Sequence, residues 1–336
     1  MPTDTLMSLA EESARSNIAM ALGPYGSGCV DAGETEATTR MLDTCANGNA
    51  CENAGSEHSI SRARKRTRGA TYAYDGSLEG MFTAIHAAFC AGDAAADILE
   101  ADILQPRIGQ EVVDVTTTMD DALKVRRLIE HALGAHAFHS IRTAASTEEP
   151  SRGTVVYRFL RYAISRPGIE RCTGCPDKST CTRACTMAGK CTALDELARP
   201  EVSDLVALYR SAINERHLML QFMRFEHCEG DVWFARCNPK ANVVPLLMDW
   251  FIPRFNDQKF VIYDENHGMS GVYDGARWYL VKGDDVTPPP HMEDERMMRE
   301  AWRRFYRSLS VEDRYNPELR RHFMPMRLWR NLPELA

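Results

Sequence analysis

The spacing of hydrophobic and polar residues divides the chain from residue 70 onward into short helices and strands. Apolar residues at helical spacing predict helices over residues 77–90, 119–133, 135–145, 154–164, 201–217 and 243–251. Alternation of apolar and polar residues predicts strands over residues 70–75, 112–117, 220–225, 232–237, 260–263, 271–273 and 278–281. Because these elements are mixed without a repeating βαβ order, the pattern predicts an α+β fold. Its sheet is expected to be mixed and largely antiparallel, with flanking helices.

Composition changes at two places along the chain. Residues 1–68 are rich in Ala, Gly, Ser, Thr and Glu and poor in aromatic and β-branched residues, which predicts a disordered, flexible N-terminal extension. It ends in a basic run at residues 62–68, which is interpreted either as a solvated linker or as a nucleic-acid contact. We therefore expect one α+β core domain over residues 69–336, interrupted by a Cys-rich insertion at residues 168–198.

The overall composition is that of a soluble globular protein, with 44% hydrophobic and 26% charged residues. No stretch approaches the ~20 apolar residues of a membrane-spanning helix, so no membrane partner is expected. The first residues include Asp4, Glu11 and Glu12 and contain no apolar signal-peptide core. These features predict a cytoplasmic location.

Five cysteines are concentrated within the insertion. They are Cys172, Cys175, Cys181, Cys185 and Cys191. A Cys-x-x-Cys pair with further cysteines nearby is typical of zinc sites and iron–sulfur clusters, and the spacing does not choose between these two cofactors. The segment has few apolar residues, so a bound metal would supply folding free energy that burial cannot. The alternative is a flexible insertion with reduced thiols, and five candidates for four ligand positions leave the ligand set open.

Arginines are concentrated near the C-terminus of a chain whose net charge is -7. The segment from Arg296 to Arg330 contains ten arginines, no lysine and four acidic residues, so its net charge is 10 − 4 = +6. The planar guanidinium group binds phosphate at two points and stacks on aromatic rings. The residues predicted to contact nucleic acid, and DNA in particular, are Arg303, Arg304, Arg307, Arg320, Arg321, Arg327, Trp329 and Arg330. The alternative is an ordinary amphipathic helix with a solvated basic face.

Candidate catalytic residues are fewer and less distinctive. The possible set comprises Asp75, His217, Arg224 and Asp264, with Asp75 interpreted alternatively as a helix cap or turn residue. The chain contains no Ser-His-Asp signature, phosphate-binding glycine loop or His-Glu-x-x-His motif. The sequence therefore leaves open whether the protein is an enzyme.

Three separated motifs carry a resemblance to a known family. They are Tyr-Asp-Gly-Ser-Leu-Glu-Gly at residues 74–80, Glu-Arg-His at 215–217 followed by Phe-Met-Arg-Phe at 222–225, and Phe-Met-Pro-Met-Arg-Leu-Trp at 323–329. Together they resemble a bacterial family assigned to DNA metabolism or DNA repair, over roughly residues 70–332. The resemblance implies a domain of unknown function encoded beside a radical S-adenosylmethionine protein, or fused to a uracil-DNA glycosylase.

The preferred hypothesis combines the arginine segment with this resemblance. We expect an accessory protein of DNA metabolism or repair that binds nucleic acid and supports a radical S-adenosylmethionine DNA-modifying partner. The alternatives are a stand-alone DNA-processing enzyme and a protein-interaction scaffold.

Overall fold

The structure is a computed structural model that describes residues 69–94, 96–105, 109–165, 192–283 and 286–335. The predicted N-terminal extension and all five cysteines of the predicted insertion lie outside these ranges. The chain divides into two compact units, with the boundary between Ala212 and Ile213. Among the described residues, the N-terminal unit ends at Ala212 and the C-terminal unit begins at Ile213. The single core domain over residues 69–336 stays a prediction.

The N-terminal unit contains a three-stranded parallel sheet with the strand order β2-β1-β3. Its strands are β1 (Thr71–Tyr74), β2 (Asp97–Glu100) and β3 (Val112–Asp114). Its helices are α1 (Leu78–Cys90), α2 (Met119–Ala132), α3 (Ala135–Ala145) and α4 (Arg152–Ile164). All four residues of β1 are buried, as expected for the central strand of a parallel sheet that is covered by helices.

The start of α1 shows how the local sequence specifies an element. The Ser77 side chain accepts a hydrogen bond from the backbone N–H of Gly80, and Asp75 accepts one from the backbone N–H of Ser77. These bonds satisfy donors that have no partner within the helix. Ser77 is therefore the N-cap of α1, at the start of the predicted helix.

The C-terminal unit contains a five-stranded sheet with the order β4-β5-β6-β7-β8. The strands are β4 (Phe225–Cys228), β5 (Val232–Cys237), β6 (Lys259–Asp264), β7 (Met269–Tyr273) and β8 (Trp278–Lys282). Only the β5–β6 pair is parallel, so the sheet is mixed and largely antiparallel. Along β6, Phe260 and Ile262 belong to one core cluster, whereas Val261 and Tyr263 belong to the cluster on the other face.

Helices complete the C-terminal unit. They are α5 (Pro200–Phe222), which spans the boundary between the units, α6 (Val244–Phe255), α7 (Glu293–Leu309) and α8 (Pro317–Phe323). A 3₁₀ helix at Met326–Asn331, here called the terminal 3₁₀ helix, follows α8. None of the helices in the described part of the chain is both long and apolar enough to span a membrane. The predicted α+β class and its flanking helices are confirmed.

The predicted strand over residues 220–225 is wrong. Helix α5 continues to Phe222, and β4 begins only at Phe225. Met219 is buried in the core, and Leu220 and Phe222 pack against the same core cluster. A short apolar run with neighbours on several sides has no clear period, so its spacing does not distinguish a helix from a strand.

Candidate nucleic-acid interface

An ion pair between the half-buried Arg327 and the buried Glu215 anchors the terminal 3₁₀ helix to α5. The Arg327 guanidinium donates to both carboxylate oxygens of Glu215, at 2.7 and 2.8 Å, although the two residues are 112 positions apart. Arg327 also donates to the Asn238 carbonyl oxygen at 2.8 Å, and the Asn238 side chain donates to the Arg327 carbonyl oxygen at 2.9 Å. Glu215 is only 7% exposed. Segments that are distant in the sequence are therefore joined at one place.

This network lies at the carboxyl ends of β5 and β6. These strands are parallel, with Cys237 paired with Asp264 at their last positions, so both chains leave the sheet at the same edge. Asp264 is completely buried and accepts hydrogen bonds from the backbone N–H of Asn266, at 2.9 Å, and from Nδ1 of His267. A buried carboxylate that contacts an imidazole fixes the orientation of the ring.

The cysteine at this edge is not activated as a nucleophile. Burial raises the pKa of the Cys237 thiol well above its usual value, and the charges of Asp264, Glu265 and Glu215 raise it further. The thiol donates a weak hydrogen bond to the Tyr263 carbonyl oxygen at 3.5 Å. Because the thiolate is the reactive form, burial and the nearby carboxylates disfavour Cys237 as a nucleophile at neutral pH.

Three of the candidate catalytic residues lie in the C-terminal unit, each with its own partners. His217 is exposed and contacts Gln221 at 2.8 Å, and Arg224 donates to Glu334 at 2.7 Å. Asp264 contacts His267. No hydrogen bond or ion pair within the described part of this unit joins His217, Arg224 and Asp264 to one another.

Asp75, the fourth candidate, belongs to the N-terminal unit. Partial burial acts to raise its pKa, but hydrogen bonds from Ser77 and Thr117 outweigh that effect and hold the pKa below its usual value. The Thr117 hydroxyl donates to the carboxylate at 2.8 Å. This geometry agrees with the interpretation of Asp75 as a residue that shapes the start of α1.

Several of the predicted nucleic-acid contacts already have partners within the protein. Arg304 pairs with Glu300 at 3.0 Å, and Arg330 pairs with Glu265 at 2.5 Å. Arg303 donates to the Pro333 carbonyl oxygen at 2.8 Å. Arg303 and Arg327 hold the C-terminal segment in place, whereas the exposed pairs of Arg304 and Arg330 only leave these two guanidinium groups with less capacity for phosphate.

Arg320 and Trp329 connect α8 to the terminal 3₁₀ helix. The Arg320 guanidinium lies over the Trp329 ring, 5.1 Å from its centroid, and over the Tyr315 ring at 5.5 Å. The Trp329 indole N–H donates to the Met324 carbonyl oxygen at 3.0 Å. These contacts are structural, and they give the segment a defined shape.

Four further arginines of the segment are open to solvent, whereas Arg299 pairs with Glu226 and Glu295. Arg296, Arg307, Arg314 and Arg321 are exposed and have no carboxylate partner among the described residues, and they are called the unpaired arginines below. Two aromatic rings within two residues of Arg314 and Arg321 are also exposed, Tyr315 by 68% and Phe323 by 66%. The candidate interface therefore consists of the unpaired arginines rather than of the predicted arginines that already have partners.

The predicted metal site is not represented in the described ranges. Its candidate ligands, Cys172, Cys175, Cys181, Cys185 and Cys191, all lie outside them. Within the described ranges, no group of three or more His, Cys, Asp or Glu residues is arranged to hold a metal ion. The zinc or iron–sulfur site stays a prediction.

One polar cluster in the N-terminal unit was not found from the sequence. The Cys90 sulfur lies 3.7 Å from Nε2 of His86, and Nδ1 of the same ring lies 3.5 Å from Asp121. Burial lowers the pKa of His86 despite the nearby Asp121 charge, and Lys124 lowers it further. The four-residue spacing of His86 and Cys90 on α1 is a signal that could have identified this pair.

Residues 178–334 match the model of a family described as a domain of unknown function, DUF4130. The match covers somewhat less than half of the chain and includes Glu215, Asn238, Asp264 and Arg327. The motif at residues 74–80 lies before it. Comparisons with curated proteins and with solved structures give no significant match.

Proposed function

We propose that the protein is a nucleic-acid-binding accessory protein of DNA metabolism or repair, and that α7, α8 and the residues between them carry the binding surface. The observation that supports this proposal is the set of unpaired arginines together with the exposed rings of Tyr315 and Phe323. Guanidinium groups bind phosphates, and exposed rings stack on unpaired bases, at about 1–3 kcal/mol per base.

The buried contacts of the C-terminal arginine segment favour its use as a binding surface. Arg327 is fixed by Glu215 and Asn238, and Arg320 is stacked on Trp329, so the short helices are held by interactions that do not need a ligand. A binding surface with a defined shape loses less conformational entropy on binding than a disordered basic tail. The segment is also positively charged within a negatively charged chain, which favours local attraction of a polyanion.

The proposal includes a protein partner. The sequence motifs resemble a family that is encoded beside radical S-adenosylmethionine proteins, so we propose that the chain supports such a DNA-modifying enzyme. This part of the proposal rests on the resemblance alone.

The nucleic-acid surface is tested by fluorescence anisotropy with single- and double-stranded oligonucleotides at several salt concentrations. Replacing two unpaired arginines, in Arg314→Gln/Arg321→Gln, is expected to weaken binding and to reduce the slope of log K against log salt by ~1.4 for single strands. The matched control, Arg304→Gln/Arg330→Gln, removes the same charge from arginines that have carboxylate partners. We expect the control to change affinity much less.

Two results would contradict the proposal. One is an absence of salt-dependent binding by the unmodified protein to either kind of strand. The other is an equal loss in both double variants, since this would show only a dependence on total charge. Conversion of the oligonucleotide by the purified chain would instead favour the stand-alone enzyme.

A further inference from the structure

The Cys90 thiol lies in a polar cluster that the proposed function does not use. Cys90 is the last residue of α1, and its sulfur lies 3.7 Å from Nε2 of His86, one turn earlier on the same helix. On α2, Oδ1 of Asp121 lies 3.5 Å from Nδ1 of His86 and accepts a hydrogen bond from the Lys124 ammonium group at 2.7 Å. A thiol, an imidazole, a carboxylate and an ammonium group are therefore connected by direct contacts. These four residues are called the Cys90 cluster below.

The contacts of the two ring nitrogens determine what His86 can do. A carboxylate at Nδ1 favours the tautomer that carries the proton there, so the lone pair of Nε2 faces the Cys90 thiol. Burial lowers the pKa of His86 despite the nearby Asp121 charge, so the ring is neutral at pH 7. The ring can therefore accept the thiol proton, and Asp121 stabilises the imidazolium that results.

Lys124 places a positive charge near the thiol. Because Cys90 ends α1, the partial negative charge at that end of the helix disfavours a thiolate. Lys124 acts in the opposite sense: the hydrogen bond to Asp121 is the main cause that raises its pKa, and the charge of Cys90 raises it further. A cationic group beside a cysteine favours the thiolate, which is the nucleophilic form.

The Cys90 thiol is also accessible from solvent. Cys90 is half-buried, and the turn that follows it is exposed, with no atom within 4 Å of a Cβ added at Gly92. The other two cysteines of the described ranges, Cys228 and Cys237, are buried, and burial raises the pKa values of both. Among the described cysteines, Cys90 therefore combines access with a neighbouring base.

We propose that Cys90 is a site of reversible mixed-disulfide formation with low-molecular-weight disulfides, and that His86 is the base that accepts its proton. His86 takes the thiol proton as the Cys90 sulfur attacks one sulfur of the reagent. The S–S bond of the reagent breaks, a new S–S bond forms to Cys90, and the departing thiolate takes the proton from the imidazolium. Cys90 is thereby oxidised to a disulfide, and one half of the reagent is reduced to a thiol.

The test is reaction of the reduced full chain with oxidised glutathione near neutral pH, with peptide mass spectrometry measuring the adduct on Cys90 over time. Cys90 is expected to react about three- to tenfold faster in the folded protein than in the chain unfolded in urea. The unfolded thiol is more exposed, but only the folded protein holds Asp121 and Lys124 beside the His86–Cys90 pair. A dithiol reductant is expected to remove the adduct. A folded rate equal to or below the unfolded rate would overturn the proposal.

Replacement of the base gives an independent test. His86→Gln is expected to slow adduct formation about three- to tenfold, and Asp121→Asn is expected to slow it less because the imidazole remains. Disturbed packing would instead expose the thiol and raise the rate, so the direction of the change separates the two effects. His136→Gln is the matched control, since His136 is exposed on α3, and it should react at the unmodified rate. An unchanged or raised rate in either cluster variant would contradict the role given to His86.

Discussion

Two arginines of the terminal 3₁₀ helix pair with carboxylates in different surroundings. Arg327 and Glu215 are largely shielded from solvent, and each has additional hydrogen bonds to the backbone. Arg330 is 57% exposed, and its guanidinium pairs with the Glu265 side chain. Removing one partner from a buried pair leaves a desolvated group without compensation, whereas an exposed pair contributes little. The two arginines should therefore differ strongly in their effect on stability.

Arg327→Gln is expected to lower the free energy of unfolding by about 3–5 kcal/mol, because Glu215 loses its partner while it stays buried. The control, Arg330→Gln, is expected to change it by about 0–1 kcal/mol. Urea denaturation followed by tryptophan fluorescence is suited to this measurement. All five tryptophans of the chain belong to the C-terminal unit. Similar losses in the two variants would contradict this assignment of roles.

At the scale of elements, the start of α4 lies unusually close to β2. The Thr154 hydroxyl accepts a hydrogen bond from the Ile98 backbone N–H at 2.9 Å and lies 3.3 Å from the Ile98 carbonyl oxygen. Gly153 permits this approach, because a Cβ atom there would lie only 2.6 Å from that carbonyl oxygen. The side chain of α4 thus satisfies backbone groups at the edge of the sheet, where no further strand pairs with β2 in the described residues.

Gly153→Ala is expected to lower the free energy of unfolding by about 1–3 kcal/mol, because the added methyl group forces the helix away from the strand. A decrease is informative, because Gly→Ala within a helix normally raises the free energy of unfolding by about 1 kcal/mol. Thermal unfolding followed by far-ultraviolet circular dichroism measures the change. Gly283→Ala is the control, because no atom lies within 4 Å of its added Cβ, and it should leave the midpoint nearly unchanged. A raised midpoint for Gly153→Ala would refute the close-packing argument.

At the scale of the whole molecule, several titrating groups lower the stability of the folded protein as pH falls. Burial lowers the pKa of His86 in the folded protein, so the unfolded chain binds a proton there at higher pH than the folded protein does. The pKa values of Asp75, Asp121, Asp274 and Glu334 are lowered by hydrogen bonds that outweigh the effect of burial. Each of these groups stabilises the folded state above its unfolded pKa, and the contribution is lost as pH falls through the folded value.

We therefore expect the free energy of unfolding to decrease in two stages as pH is lowered. The first begins near the ordinary histidine pKa of about 6.5 and reflects His86, and the second lies below about 4 and reflects the four carboxylates with lowered pKa values. Burial raises the pKa values of Glu79 and Glu100, and these two groups oppose the second stage. In His86→Gln, the decrease in the free energy of unfolding over the first stage should be smaller, and the decrease over the second stage should be unchanged. Urea denaturation at a series of pH values measures both stages. An unchanged first stage in His86→Gln would show that another group is responsible.

The candidate site was only partly predictable from the sequence. The concentration of arginines and aromatic residues is a property of composition, so the sequence identified the segment. Which arginines remain unpaired depends on Glu215, Glu265 and Glu300, and two of these carboxylates lie far from the segment in sequence. The exposure of the Tyr315 and Phe323 rings likewise could be recognised only from the folded unit.

The sequence by itself determined the elements whose stabilising interactions are local. Helix α1 with its Ser77 cap, helix α3 and strands β6 to β8 follow from spacing and capping within a few residues. Tertiary structure decided the parallel pairing of β5 with β6, the extension of α5 to Phe222 and the contact between Arg327 and Glu215. These features depend on which distant residues meet in the core. A pattern of hydrophobic and polar positions specifies that a face is buried, but the packed structure alone specifies what it is buried against.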